Sequence, residues 1–175
     1  RPRSGDLDQP HVYDFEPFPN TPADDLELTH LIDDRYDAVL ALDHPLAARK
    51  RIRLTDLARD PWIAGSPQCG CRDITDRACR DAGFELSVAF EADETMAAQA
   101  LVAAGVGVTI FPRLALNPLH SGVVARSLGP GAPVRRIWAA RPAEGYRSPA
   151  SEAMLQILQD VAQQFRDEPS LEAVS

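Results

Sequence analysis

The most reactive side chains in the sequence sit close together: Cys69, Cys71 and Cys79. Three thiolates make three zinc ligands, but a structural zinc site takes four and no fourth donor stands nearby, so no metal site is expected. A redox pair drawn from Cys69, Cys71 and Cys79 is the stronger alternative. A thiolate is stabilised at a helix N-terminus, and Arg72 adds positive charge beside Cys71. The competing reading is that Cys79 packs as a small hydrophobe while the two loop cysteines line a pocket. That pocket would be built on Gly65-Ser66-Pro67-Gln68-Cys69-Gly70, a loop running into a helix at Cys71-Arg72. Its backbone N–H groups, the Ser66 hydroxyl, the Gln68 amide and the Arg72 guanidinium favour a small anion such as a carboxylate. A second helix start, Glu91-Ala92-Asp93-Glu94, brings its own acids to the helix dipole and suits a ligand amine or hydroxyl. For both places plain helix capping is the alternative.

Catalytic signatures are missing. The glycines of Ala104-Gly105-Val106-Gly107 follow a helix and precede a strand, whereas phosphate-cradling glycines follow a strand and open a helix. They read as a helix C-cap and a packing position. Ser66 has Gly65 directly before it, which is out of register for a nucleophile elbow. His11, His30, His44 and His120 lie in loop-like or unassigned sequence, none at helical spacing with a carboxylate. The reading is a non-enzyme with no cofactor.

The elements that must position these residues follow from local pattern. Residues 36–42 form a mostly apolar run ended by Asp43-His44-Pro45, a strand and its turn. Thr55 caps a helical turn through Ala58, Pro61 stops it, and Trp62-Ile63-Ala64 is a brief buried strand. Small or apolar residues at Cys71, Ile74, Ala78 and Ala82 give a helix closed by Gly83 at its C′ position. Residues 84–90 alternate as a strand, Asp93 caps a helix to Ala104, and residues 106–111 are a second strand closed by Pro112. Strand, helix and strand with short joints predict a parallel βαβ unit, with 84–90 and 106–111 in one sheet. Residues 123–126 and 135–140 read as strands around Gly129-Pro130-Gly131. Ser148 caps a last helix, with Pro149 at its first position and an apolar stripe of Ala150, Met154, Ile157, Val161 and Phe165.

The 175-residue chain is long enough for one domain or two small lobes, and 45% hydrophobic residues suffice for a core. Residues 1–46 hold 11 acids and 3 bases, while residues 47–175 hold 15 of each, so the net charge of -8 belongs to the first quarter. Such a distribution is a poor footprint for nucleic acid. The basic cluster Arg49, Lys50, Arg51 and Arg53 reads as a solvated loop. No apolar stretch approaches the ~20 residues a spanning helix needs, so no membrane partner is expected. The start, Arg1-Pro2-Arg3-Ser4-Gly5-Asp6, has neither a signal core nor an initiator Met and reads as a processed form or a fragment. Three cysteines that cannot all pair internally favour a reducing cytoplasm.

An ordered set of motifs resembles the effector-binding domain of LysR-type transcriptional regulators. The set runs from Tyr36-Asp37-Ala38-Val39 through His44-Pro45-Leu46-Ala47, Leu54-x-x-Leu57, Trp62-Ile63 and Asp81-Ala82-Gly83-Phe84. It continues in Leu101-Val102-Ala103-Ala104-Gly105-Val106-Gly107-Val108 with Phe111-Pro112, and closes with Arg136-Ile137 and Ser148-Pro149. The resemblance implies a two-lobed α/β fold of the periplasmic-binding-protein-like, Rossmann type, with a small effector held between the lobes. It implies a partial first lobe in 1–35, hinge strands and a complete second lobe in 36–126, a return to the first lobe with the C-terminal helix in 127–166, and a frayed tail in 167–175. Gly5-Asp6-Leu7-Asp8 resembles a point past the opening elements of the first lobe, and Gln9-Pro10-His11 replaces an apolar strand. Carried over residue by residue, the effector contacts are Ser66, Gln68, Cys69, Gly70 and Cys71, then Glu91 and Asp93, with Arg72 added from the helix-start argument above.

The expected function is therefore a small-molecule sensing module of a bacterial transcription regulator that works as a homo-oligomer. It would reach DNA only through a helix-turn-helix domain absent from this chain. The alternatives are a periplasmic-type solute-binding protein of the same architecture, or an enzyme on the same scaffold, against which the missing catalytic constellation speaks.

Overall fold

The computed structural model describes residues 12–13, 26–67, 70–144 and 147–167. In chain order the elements are β1 (Val12–Tyr13), β2 (Leu26–Ala41), β3 (Trp62–Ala64), α1 (Gly70–Asp81), β4 (Val88–Glu91), α2 (Thr95–Ala103), β5 (Thr109–Pro112), β6 (Val123–Ser127), β7 (Val134–Pro142) and α3 (Pro149–Asp167). Short 3₁₀ turns occupy Leu54–Leu57, Arg113–Leu116 and Gly129–Gly131. Two compact units divide the chain: one contains Arg35–Val134, and the other the described parts of Asp14–Asp34 and Arg135–Ser175. Among the described residues no helix is long and apolar enough to cross a membrane.

In the first unit the buried end of β2, residues 36–41, sorts its side chains by the two-residue period of a strand. Tyr36, Ala38 and Leu40 enter one core with Ile52, Leu57, Trp62 and the α1 residues Ile74, Ala78 and Cys79. Val39 enters the opposite core with Ile63, Leu116, Val123 and the α2 residues Ala98 and Val102. One helix thus covers each face, which is why this stretch of β2 is apolar apart from Asp37, whose carboxylate is paired with Arg113. β5 and β6 both pair antiparallel with β2, Ala38 facing Ile110 on one side and Arg126 on the other.

Both helices end alike. Gly83 (φ +89°) and Gly105 (φ +74°) take the left-handed conformation, for which glycine has no steric cost. Phe84 N–H donates to Cys79 O and Gly83 N–H to Arg80 O; Val106 N–H donates to Leu101 O and Gly105 N–H to Val102 O. These are Schellman closures, and Phe84 and Val106 each pack on the core their helix covers.

The βαβ expectation needs correction. The strand expected over 84–90 is confined to Val88–Glu91, and it does not share a sheet with β5. β4 pairs parallel with β3, while β5 pairs antiparallel with β2. A single parallel bridge, Trp62 with Val108, joins the segment before β5 to the other edge of β3. The reason is length: β3 offers three residues and ends at Ala64, whereas the 16-residue β2 offers a continuing edge. Two further expectations fail locally. The turn at Leu54–Leu57 is capped by a reciprocal Arg53–Asp56 pair and not by Thr55. His30, read as lying outside regular structure, is inside β2, where it bonds Asp33 at 2.8 Å and meets the Trp138 ring edge-on.

The second unit is built from residues 26–34 of β2, from β7 and from α3. Arg135 donates to the buried Asp34 carboxylate at 3.0–3.1 Å, and Glu27 accepts from Arg141 (2.7 Å) and Arg147 (2.6 Å). Ser148 Oγ accepts from Ser151 N–H, so α3 has its expected cap with Pro149 in the first turn. Arg166 donates to the Leu31 carbonyl. The α3 stripe is largely uncovered: Met154, Ile157, Leu158, Val161 and Phe165 are all exposed, and Ala162 is buried. The assignments made for Gly5-Asp6-Leu7-Asp8, for Gln9-Pro10-His11 and for the tail beyond Asp167 lie outside the described residues.

Candidate functional site

Because β3 and β4 are parallel neighbours, the loops that follow them leave the same end of their sheet. Each loop opens a helix, β3 leading to α1 and β4 to α2. Ala92 N–H donates to Ala64 O (2.9 Å), and one residue further on the Ser66 N–H donates to Asp93 Oδ1 (2.7 Å). These two bonds fasten the loops together, so Ser66, Glu91, Asp93 and the first α1 residues, Gly70 and Cys71, form one constellation. Gln68 and Cys69 lie outside the described residues.

Two roles expected from the sequence change. Asp93 does not cap α2: the N-cap residue is Glu94, without a side-chain bond, and the Asp93 carboxylate is used on Ser66. Arg72 is engaged within its own fold. Its Nε donates to Asp76 Oδ1 (2.8 Å), its Nη1 donates to Gly65 O (2.9 Å), and Glu91 Oε1 lies 3.9 Å from Nη1. With its side chain only 15% exposed, Arg72 is a clamp that sets the loop against α1. Asp76 and Glu91 stand beside it and Asp93 on Ser66, so the constellation accepts hydrogen bonds through carboxylates, while the backbone N–H groups at the start of α1 are its donors. Beside it a groove of about 560 Å³ is lined by Phe90, Ala97 and Leu101 together with Glu91, Asp93 and Glu94.

The cysteines separate in character. Cys79 is fully buried, and burial, aided by Asp76, pushes its thiol up to about 12. It packs as a small hydrophobe. Cys71 is half-buried in the first turn, where its carbonyl accepts from Thr75 Oγ1 (2.9 Å). Among the described residues no group of three or more His, Cys, Asp or Glu is arranged to hold a metal.

A second concavity, not recognised in the sequence, lies on the first unit where β2, β5 and β6 meet. Its volume is about 300 Å³, and it is lined by Arg35, Asp37, Arg51, Arg113, Ser127 and the Gly129–Gly131 turn. Arg113 follows Pro112, which stands opposite Tyr36; Arg51 bridges to Ser127. Strand pairing therefore assembles residues far apart in sequence. The only local sign was the basic run 49–53. Its members have separate uses: Arg49 and Arg53 face Asp56, while Arg51 turns into the cleft.

The fold agrees with what comparison with known proteins shows. The family model for the LysR substrate binding domain matches residues 15–163, and the chain belongs to that family. Its α/β fold is the periplasmic-binding-protein-like one of those domains. The transcriptional dual regulator GltC of Bacillus subtilis is 34% identical over 82 residues, covering 47% of this chain and 27% of GltC. The HTH-type transcriptional regulator MetR of Escherichia coli is 31% identical over 136 residues, covering 77% of this chain and 42% of MetR. The chain thus spans less than half the length of these relatives. The effector-binding domain of QuiR, solved in complex with shikimate, superimposes with a TM-score of 0.66 at 26% identity, covering 81% of this chain and 68% of that one. The sensing-domain reading stands over the periplasmic solute-binding alternative, and the relatives are transcriptional regulators and not enzymes.

Proposed function

We propose that this domain senses a small hydroxylated carboxylic acid for a cytoplasmic, homo-oligomeric LysR-type transcription regulator, with the paired loops as its part of the effector site. The carrying observation is the Ser66–Asp93 bond, which unites two helix-opening loops into one surface. The α1 amides suit a carboxylate, and the Glu91 and Asp93 carboxylates suit ligand hydroxyls or an amine, with Ser66, Gly70 and Cys71 between them. Gln68 and Cys69 belong to the same loop by sequence. Arg72 contributes by holding Gly65 in place. Shikimate, the ligand of the QuiR domain, carries both kinds of group. Recognition of DNA falls to a helix-turn-helix region outside this chain. The effector acts by population shift, since a ligand moves a conformational equilibrium only by its differential affinity for the two states. Asp37, Ala38 and Val39, hydrogen-bonded to β5 and β6, are the rigid base from which such a shift is read.

The test is a thermal-shift titration with shikimate and related hydroxy acids. Ser66→Trp abolishes the ligand-induced shift while the ligand-free melting temperature stays nearly unchanged. Unfolding of the variant in place of lost binding, or an undiminished shift, overturns the assignment.

A further inference from the structure

The arginine cleft on the first unit has more positive charge than its own fold uses. Three guanidinium groups, those of Arg35, Arg51 and Arg113, line it against one carboxylate, that of Asp37. Asp37 is consumed by Arg113, whose Nε and Nη2 donate to its two oxygens at 2.7 and 3.2 Å. That bidentate bond fixes the plane of the Arg113 guanidinium at the cleft wall and leaves its Nη1 outside the pairing. Arg35 and Arg51 make no ion pair or side-chain hydrogen bond with any described residue, although the chain as a whole is acidic, with a net charge of -8. The stem of Arg51 lies over Gly129, where a Cβ would come within 3.1 Å of its Cδ, so the glycine gives that side chain room to lie along the cleft.

We propose that this cleft is a second ligand site, one that takes a small dianion whose carboxylate or phosphate oxygens are shared among Arg35, Arg51 and Arg113. Guanidinium groups match the planar carboxylate and the tetrahedral phosphate through paired N–H donors, which a lysine ammonium does not reproduce. The volume of about 300 Å³ stands at the small end of ligand pockets and admits a compact anion but not a large cofactor. The acidic remainder of the chain disfavours extended nucleic acid, which needs a continuous basic track. The site is separate from the paired loops. It sits on β2, β5 and β6, whereas the loops follow β3 and β4, so it stands or falls independently of the effector assignment above.

Calorimetric titration of the full chain with inorganic phosphate and with succinate, at ionic strength matched with sodium chloride, tests the proposal and tells the two sources apart. One of the two binds saturably with one-to-one stoichiometry. Arg35→Ala and Arg51→Ala each weaken it about tenfold or more, the loss expected for a charge-assisted hydrogen bond, and Arg51→Lys recovers part of the loss. Both residues are exposed and make no ion pair with a described residue, so circular dichroism of the variants remains that of the parent. Ser66→Trp leaves this binding intact. Heats that do not saturate, binding unaffected by both alanine substitutions, or binding lost in Ser66→Trp and kept in Arg51→Ala would overturn it.

Discussion

At Gly107 the chain passes close against another backbone segment, and Gly107→Ala is a sharp perturbation of the frame that carries the paired loops. A Cβ at this position would stand 2.5 Å from Pro61 O and 2.9 Å from Pro61 C. Both atoms are backbone, so no side chain can move aside. Reaching an ordinary ~3.5 Å contact requires the two segments to part by roughly 1 Å. The same Pro61 carbonyl accepts from Val108 N–H at 2.8 Å, and Val108 O accepts from Ile63 N–H at 2.9 Å. Two backbone hydrogen bonds at about 1 kcal/mol each, with about 1–2 kcal/mol of overpacking strain, give a loss of about 3–4 kcal/mol. Urea unfolding of parent and variant reads this directly, and with a slope of about 1–3 kcal/mol/M the midpoint falls by at least about 1 M. Gly105→Ala is the control: it has open space around it and positive φ alone, so it costs about 1–2 kcal/mol. A Gly107→Ala midpoint indistinguishable from the parent's would refute the close approach and with it the bridge between β3 and Val108.

Three other outcomes follow from the same geometry. In the folded protein at pH 8, Cys71 is alkylated much faster than Cys79, whose raised pKa and complete burial keep it a thiol; equal rates measured by mass spectrometry would contradict this. No Cys71–Cys79 disulfide forms without unwinding α1, since eight helical residues span about 12 Å against a ~7 Å Cα limit. Glu27 is held below the ordinary glutamate range, first by its hydrogen bond from Arg141 and then by the charges of Arg141 and Arg147. A depressed folded-state pKa gives stability that is present above the unfolded value and is lost as pH falls through the folded one, so this pairing is lost as pH falls below the ordinary glutamate range, and Arg141→Ala flattens that part of the profile. The uncovered α3 stripe makes the chain self-associate with rising concentration, and Ile157→Glu with Val161→Glu lowers the sedimentation coefficient at a given concentration; identical sedimentation would remove the stripe as the cause.

What the sequence disclosed was the part written in local chemistry. Gly83, Gly105 and the Ser148-Pro149 pair mark helix ends because caps and closures involve residues within one turn. Trp62-Ile63-Ala64 was legible because a run of three buried residues with turn signals on both sides has few alternatives. Strand partnership was not legible. β5 leaves β3 after one bridge to join β2, a choice set by the length of a strand some 70 residues away. β2 carries His30, Asp33, Asp34 and Arg35 before its buried end, so its burial pattern there looks like a loop until β7 and Arg135 are in place. At the site, the neighbourhood of Ser66 with Glu91 and Asp93 was recoverable from the two helix starts. The clamping contacts of Arg72 were not read, although one partner stood four residues on, in Asp76, at the spacing of a helical ion pair. Beyond the basic run 49–53 the arginine cleft had no local signature, because Arg35, Arg51 and Arg113 meet only through sheet pairing.

The central claim, that the loops after β3 and β4 receive a small effector, is tested most directly by amide chemical shifts of the isotopically labelled chain during titration with a panel of small hydroxylated carboxylic acids. At least one member will produce saturable shifts at Ser66, Gly70, Cys71 and Asp93, with a single dissociation constant fitting all four and with the arginine-cleft amides Arg51 and Gly129 unmoved. If every member leaves those four amides in place, or if saturable shifts gather elsewhere and these stay constant, the paired loops are helix caps and the effector binds another part of the protein.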